Sequence, residues 1–174
     1  NGIFLARQVG EALRQVPFAA LISSPLKRAL QTGILALGGR EIPVITDPRI
    51  KEISFGIFEG YSTVNPDYPS PDPDFHYFFD DPSRYRPPEG GETIAQLFAR
   101  TGAFLDELPG QGWKQDDRLL VSTHGAAYRA LLGNIEQRQP SQLWIEGVPK
   151  NCAVSVVQWN GTAWRILEKD RMFV

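Results

Sequence analysis

The chain is short of the residues that settle function most quickly. Its 174 residues hold one cysteine, one methionine and two histidines, His76 and His124. A lone Cys152 excludes an internal disulfide framework and suits a reducing, cytoplasmic compartment; it opens an apolar run and reads as a small core residue. No set of His, Cys, Asp and Glu has ligand spacing, so no metal or other cofactor is expected. No run approaches the roughly 18 apolar residues of a membrane span. Neither sign of charge dominates: a net charge of −2 leaves no basic footprint for nucleic acid or an anionic membrane.

What is present suits one well-cored domain over residues 1–174, with 42% hydrophobic and 22% charged residues. "NGIFLARQVGEALRQVPF" reads as a helix, with Ile3, Leu5, Ala6, Val9, Ala12 and Leu13 at helical spacing. "FAALISS" is a buried strand. "SPLKRALQTGILALGG" predicts a helix with Ser24 as N-cap, Pro25 at the first position and Gly38–Gly39 as its stop. "IPVIT" is a second strand, "GGETIAQLFARTGAFLDELPG" an amphipathic helix, "RLLVSTHG" a third buried strand and "AAYRALLGNIE" its following helix. "CAVSVVQWNGTAWRILEKD" predicts two strands joined by a two-residue turn at Asn160–Gly161. Strands separated by helices argue for a three-layer α/β/α sandwich with a mainly parallel sheet. Between Tyr61 and Glu92 periodicity fails; that stretch holds 7 of the 14 prolines and 7 of the 19 aromatics, too many rings for a merely solvated linker.

In such sheets ligands sit beyond the carboxyl ends of the strands. Those ends deliver Ser23, Ser24 and, one helical turn on, Arg28; then Ser122, Thr123, His124 and the amides of Gly125 and Ala126; and, after "IPVIT", Glu52 and Glu59. A guanidinium, an imidazole and helix N-terminal amides on one rim make an anion site, most naturally for phosphate. A nearby carboxylic acid could protonate a leaving oxygen. Each residue also has a plainer reading. His124 could be a structural hydrogen-bonder, Lys27 and Arg28 a solvated helix face, Glu52 and Glu59 surface carboxylates, and His76 a packing residue among aromatics.

Their joint order resembles the histidine phosphatase superfamily, also called phosphoglycerate mutase-like. "ISSPLKRALQTG", "IKEISFGIFEG", "PEGGET" and "VSTHGAAYRALL" resemble four of its segments, in order and with the right elements between them. The resemblance implies that Arg28 is a phosphate clamp, His124 the second histidine, Glu52 the general acid in preference to Glu59, and Gly125 a residue that lets amides approach the phosphate. A charged His124 would then steady the phosphoryl oxygens during transfer. The family's nucleophile is a first histidine in an Arg-His-Gly motif, which this sequence does not contain. The expectation is that this histidine, and the central strand that carries it, lie upstream of Asn1.

The stretch 61–91 is then a lid-like insertion. From Tyr61 to Glu92 there are seven acidic residues (Asp67, Asp72, Asp74, Asp80, Asp81, Glu89 and Glu92) against Arg84 and Arg86. An acidic, compact, aromatic lid disfavours a doubly charged sugar acid, so the expected activity is a metal-independent phosphomonoester phosphatase acting through a phosphohistidine on a small phosphorylated substrate. Two alternatives stand beside it: mutase-type phosphoryl transfer and, without the nucleophile, a non-catalytic phospho-ligand binder. The lid aromatics either line a leaving-group pocket or pack the lid to the body. Apolar residues around Trp144 and Ile145 either support a homodimer or fill the core.

Overall fold

The computed structural model describes residues 2–61, 67 and 69–173; residues 62–66 and 68 of the lid-like insertion lie outside the described residues. Helix α1 (Gly2–Ala12) leads into strand β1 (Phe18–Ser23) and helix α2 (Lys27–Ala36). Strand β2 (Val44–Thr46) precedes the short helix α3 (Tyr77–Asp80) and the long helix α4 (Ile94–Glu107). Strand β3 (Arg118–Ser122), helix α5 (Gly125–Ile135) and strands β4 (Val154–Trp159) and β5 (Trp164–Arg171) complete the chain.

Strand β1 is the centre of a parallel sheet ordered β2-β1-β3, with Ile22 opposite Ile45 on one side and Val121 on the other. Its side chains alternate between two helical layers. Ile22 joins Phe104, Leu105 and Leu131 of α4 and α5, whereas Leu21 meets α2 so closely that a Cβ on Gly33 would stand 2.8 Å from it. The result is the expected three-layer α/β/α sandwich. Strands β4 and β5 form a separate antiparallel ribbon.

Four local expectations need correction. Only Ser122 of β3 is buried, because among the described residues β3 pairs with β1 alone and shows its other edge. In α1, Ala6 and Val9 face the core but Ile3 is exposed. Ser24 does not cap α2 from a helical register. Its backbone N–H still donates to Ser122 across the sheet at 2.9 Å, which delays the helix to Lys27, and its hydroxyl accepts from Leu26 N–H at 3.2 Å. The β4–β5 turn is one residue displaced: Asn160 sits at its corner, its side chain accepting from the amides of Thr162 and Ala163, and Gly161 takes the positive φ of 96°.

The aromatic insertion packs rather than hovers. Phe75, Phe78 and Tyr85 are buried with Ile53, Leu97, Ala127 and Leu143, and Phe55 meets both Phe75 and Phe78 edge-on at about 5 Å. Trp144 stacks on Phe79 and donates its indole N–H to the Phe78 carbonyl at 2.8 Å, so the core accounts for Trp144. Ile145 remains exposed. His76 binds within its own turn, its Nδ1 lying 2.6 Å from the Pro73 carbonyl, and its ring rests against Tyr77. The expected acidic surface is thinner than composition implies: Asp72 and Asp81 accept bonds within their own turns, and Glu92 turns toward the body.

Candidate active site

The carboxyl ends of β1 and β3 lie side by side, and short hydroxyl side chains fasten the adjoining segments. Ser122 Oγ donates to the Ala29 carbonyl of α2, and Thr123 Oγ1 donates to the Ile50 carbonyl, both at 2.7 Å. These bonds anchor the segments bearing Arg28, Glu52 and His124 to one rim. His124 is the extended residue that precedes the first turn of α5.

The imidazole is held at both nitrogens. Nδ1 accepts from Arg28 Nε–H at 3.1 Å, so the neutral ring carries its proton on Nε2 and donates it to the fully buried Ser24 hydroxyl at 2.8 Å. Burial, then the positive charges of Arg28 and Arg100, push the His124 pKa down to about 4. With Nδ1 accepting from Arg28, the ring is neutral in this arrangement. Arg28 spends only its Nε–H on His124. Its two terminal amino groups have no partner among the described residues, and the side chain is exposed.

Glu52 stands at the same helix end. Its carboxylate accepts from the amides of Ala126 (3.1 and 3.2 Å) and Ala127 (3.1 Å), and from Ile53 N–H at 3.1 Å. It thus supplies the negative charge that the N-terminus of α5 favours. The amide of Ala126, expected to be available to an anion, is already engaged by this side chain. A Cβ on Gly125 would stand 3.7 Å from Glu52 Oε2, an ordinary contact, so the helix start does not demand glycine there. Glu59 takes no part: it accepts from Phe55 N–H at 2.8 Å, inside its own loop.

The sequence alone assigns no part to Arg100 and counts Glu92 only among the acids of the lid. Arg100 of α4 reaches under the Glu52 segment and pairs with Glu92 at 2.6 and 2.8 Å. The only sequence signal for the pair is "PEGGET", a matching segment whose second acid, Glu92, carries no evident role in the sequence. That loop is tied to the Glu52 segment by the Phe55–Gly91 bridge and by Glu92 N–H to Ser54 O at 2.8 Å. Gly56 makes the approach feasible: with φ of 52°, a Cβ there would fall 2.0 Å from the Glu89 carbonyl. An open cavity of about 520 Å³ lies beside these groups, lined by Lys51, Glu52, Ser54, Glu92, Gln96 and Arg100 among others. Among the described residues no group of three or more His, Cys, Asp and Glu could hold a metal ion, and no helix is long and apolar enough to cross a membrane.

Comparison with known proteins gives this geometry a context. A family model described as the histidine phosphatase superfamily (branch 1) matches residues 1–170. Phosphoserine phosphatase 1 of Hydrogenobacter thermophilus is 28% identical over 154 residues, covering 87% of this chain and 70% of that protein. A probable phosphoglycerate mutase of Proteus mirabilis is 28% identical over 168 residues, covering 94% of this chain and 74% of that protein. The solved structure of Bacillus stearothermophilus YhfR superposes with a TM-score of 0.84 at 23% identity, covering 98% of this chain and 82% of that one.

Proposed function

Because the chain belongs to the histidine phosphatase superfamily (branch 1), we propose that it is a phosphomonoester phosphatase that works through a phosphohistidine. The single observation that carries the reading is the Arg28–His124–Ser24 cluster at the ends of β1 and β3, in which Arg28 keeps both terminal amino groups unspent among the described residues. A guanidinium fork in that state suits two phosphoryl oxygens at once.

The roles rest on the hydrogen-bonding capacity each group has left. Arg28 clamps the phosphoryl group. Burial and, after it, the two guanidinium charges keep His124 neutral. A bound dianion offsets those charges, and once Arg28 Nε–H turns from Nδ1 to the phosphoryl group that nitrogen takes up a proton and becomes a second cationic donor as charge spreads over the transferring oxygens. Glu52, fixed within a helical turn of His124, passes a proton to the leaving alcohol and later takes one from water. The reading requires a nucleophilic histidine other than the two of this sequence. His124 is a poor candidate for it, since Arg28 and Ser24 occupy both ring nitrogens, and His76 lies in the insertion against Pro73. The second edge of β3 is where a strand carrying that residue would pair. An imidazole nucleophile divides hydrolysis into two easier steps.

The test uses the full-length chain with an aryl phosphate in excess chelator. Turnover, an acid-labile phosphoenzyme and loss of both in Arg28→Ala and His124→Ala support the reading. Saturable phosphate binding without turnover supports a non-catalytic binder instead. Phosphoglycerate isomerisation outrunning phosphate release supports mutase chemistry, the activity for which the Proteus mirabilis relative is named.

A further inference from the structure

Arg100 sits close enough to His124 for its charge to count in that ring's titration, and an arginine near a phosphate site is readily taken for a second clamp. Its hydrogen bonds say otherwise. A guanidinium has five N–H donors. Nε donates to Glu92 Oε1 at 2.6 Å, Nη1 to the carbonyls of Arg49 (2.6 Å) and Lys51 (2.8 Å), and Nη2 to Glu92 Oε2 (2.8 Å) and the carbonyl of Glu52 (3.2 Å). Those five bonds use all five donors, so none remains for a substrate.

We propose that Arg100, oriented by Glu92, is a positioning residue that fixes the Arg49–Glu52 segment so that the Glu52 carboxylate stays on the amides of Ala126 and Ala127. This rests on the reading of Glu52 as the proton donor. The chain of contacts is continuous. The Phe55–Gly91 bridge holds Glu92 beside the segment, Glu92 neutralises and aims the guanidinium, and the guanidinium gathers three carbonyls from a four-residue stretch. Glu52 is the last of those residues, and its side chain bridges to α5. Only a planar fork can hold three carbonyls and a carboxylate together; a lysine ammonium has three donors and no such plane.

The experiment compares the full-length chain with Arg100→Lys, which keeps the charge and removes the fork, and with Glu92→Gln, which keeps the shape and removes the charge. Amide hydrogen exchange at Ala126 and Ala127 reports whether Glu52 is seated, with the Leu21 and Ile22 amides of β1 as the internal standard. In Arg100→Lys we expect those two amides to exchange at least about tenfold faster while β1 is unchanged, and kcat on an aryl phosphate to fall about 10- to 100-fold with KM moving less than about threefold. Glu92→Gln gives the same pattern at smaller amplitude, and it carries the test alone if Arg100→Lys does not fold. A rise in KM at constant kcat would make Arg100 a phosphate ligand and overturn the proposal. Unchanged exchange at Ala126 and Ala127 would overturn it as well. A wild-type chain with no turnover overturns only the phosphatase reading, because the exchange measurement still decides the positioning role.

Discussion

Two arginines bear on His124, and they are built in opposite ways. Arg28 lies on the exposed face of α2, makes one side-chain bond, to the imidazole, and keeps its two terminal amino groups free among the described residues. Arg100 is tucked under the Glu52 segment with all five donors committed to the protein itself. Both carry the same charge toward the same ring, but only one can bind anything. Charge near a site therefore identifies the neighbourhood, and leftover hydrogen-bonding capacity identifies the ligand.

The strongest way to break that contrast is Arg28→Ala. It should lower kcat/KM on an aryl phosphate by about 10²- to 10³-fold and leave stability within about 0.5 kcal/mol, as for other exposed sites, which denaturant unfolding would check. A third arginine sharpens the comparison by being neither open nor at the site. Arg129 is buried, pairs with Asp170 at 2.9 Å and donates to the Gly147 carbonyl at 2.8 Å. Asp170→Ala removes the nearer of its two carboxylate partners, leaving Glu146 at 3.6 Å, and should cost about 2 kcal/mol of stability, seen as a lower urea midpoint. Gly56→Ala attacks the ground beneath Arg100: its backbone is in the left-handed region and the new Cβ meets the Glu89 carbonyl. About 2 kcal/mol or more should be lost, with faster exchange at Ala126 and Ala127.

A titration tests what the two charges do together. The His124 pKa is pushed down to about 4 from an ordinary 6.5, by burial first and the two arginines next. Between those values the unfolded chain binds the proton and the folded one does not, so this group's contribution to stability is full above about pH 6.5 and is lost as pH falls toward 4. Proton NMR of the ring should show a midpoint near 4, and saturating inorganic phosphate should move it upward. No movement would mean that phosphate does not reach the cluster. The smallest effect is expected at Ile145, exposed and outside this network. Ile145→Ser should change stability by less than about 0.5 kcal/mol; a change in mass by light scattering would assign that side chain to a dimer.

The elements were largely legible because period and punctuation sit in consecutive residues. Ala6 and Val9 mark the inner face of α1, and Gly38–Gly39 end α2 with φ of 60° and 84°. The meeting of Arg28 with His124, 96 residues apart, was legible only through the rule that strand ends share a rim. What stayed hidden was bond allocation. Nothing local to Glu52 says that its oxygens will be taken by Ala126 and Ala127, or that the acid of "PEGGET" will turn inward to Arg100 rather than outward with its neighbours. The exposure of β3 was hidden for a similar reason: "RLLVS" has the composition of a central strand, and among the described residues it pairs with β1 alone, which is a property of the sheet and not of those five residues.

Glu52 carries a mechanical consequence. As a carboxylate it is an acceptor only, and it spends that capacity on the first turn of α5. Each time a proton resides on it, one oxygen becomes a donor and the hold on that turn weakens. A catalytic cycle routed through this acid would loosen and retighten the end of a helix once per turnover, in step with the proton rather than with substrate entry. The helix would then serve as the spring that returns the acid to its seat.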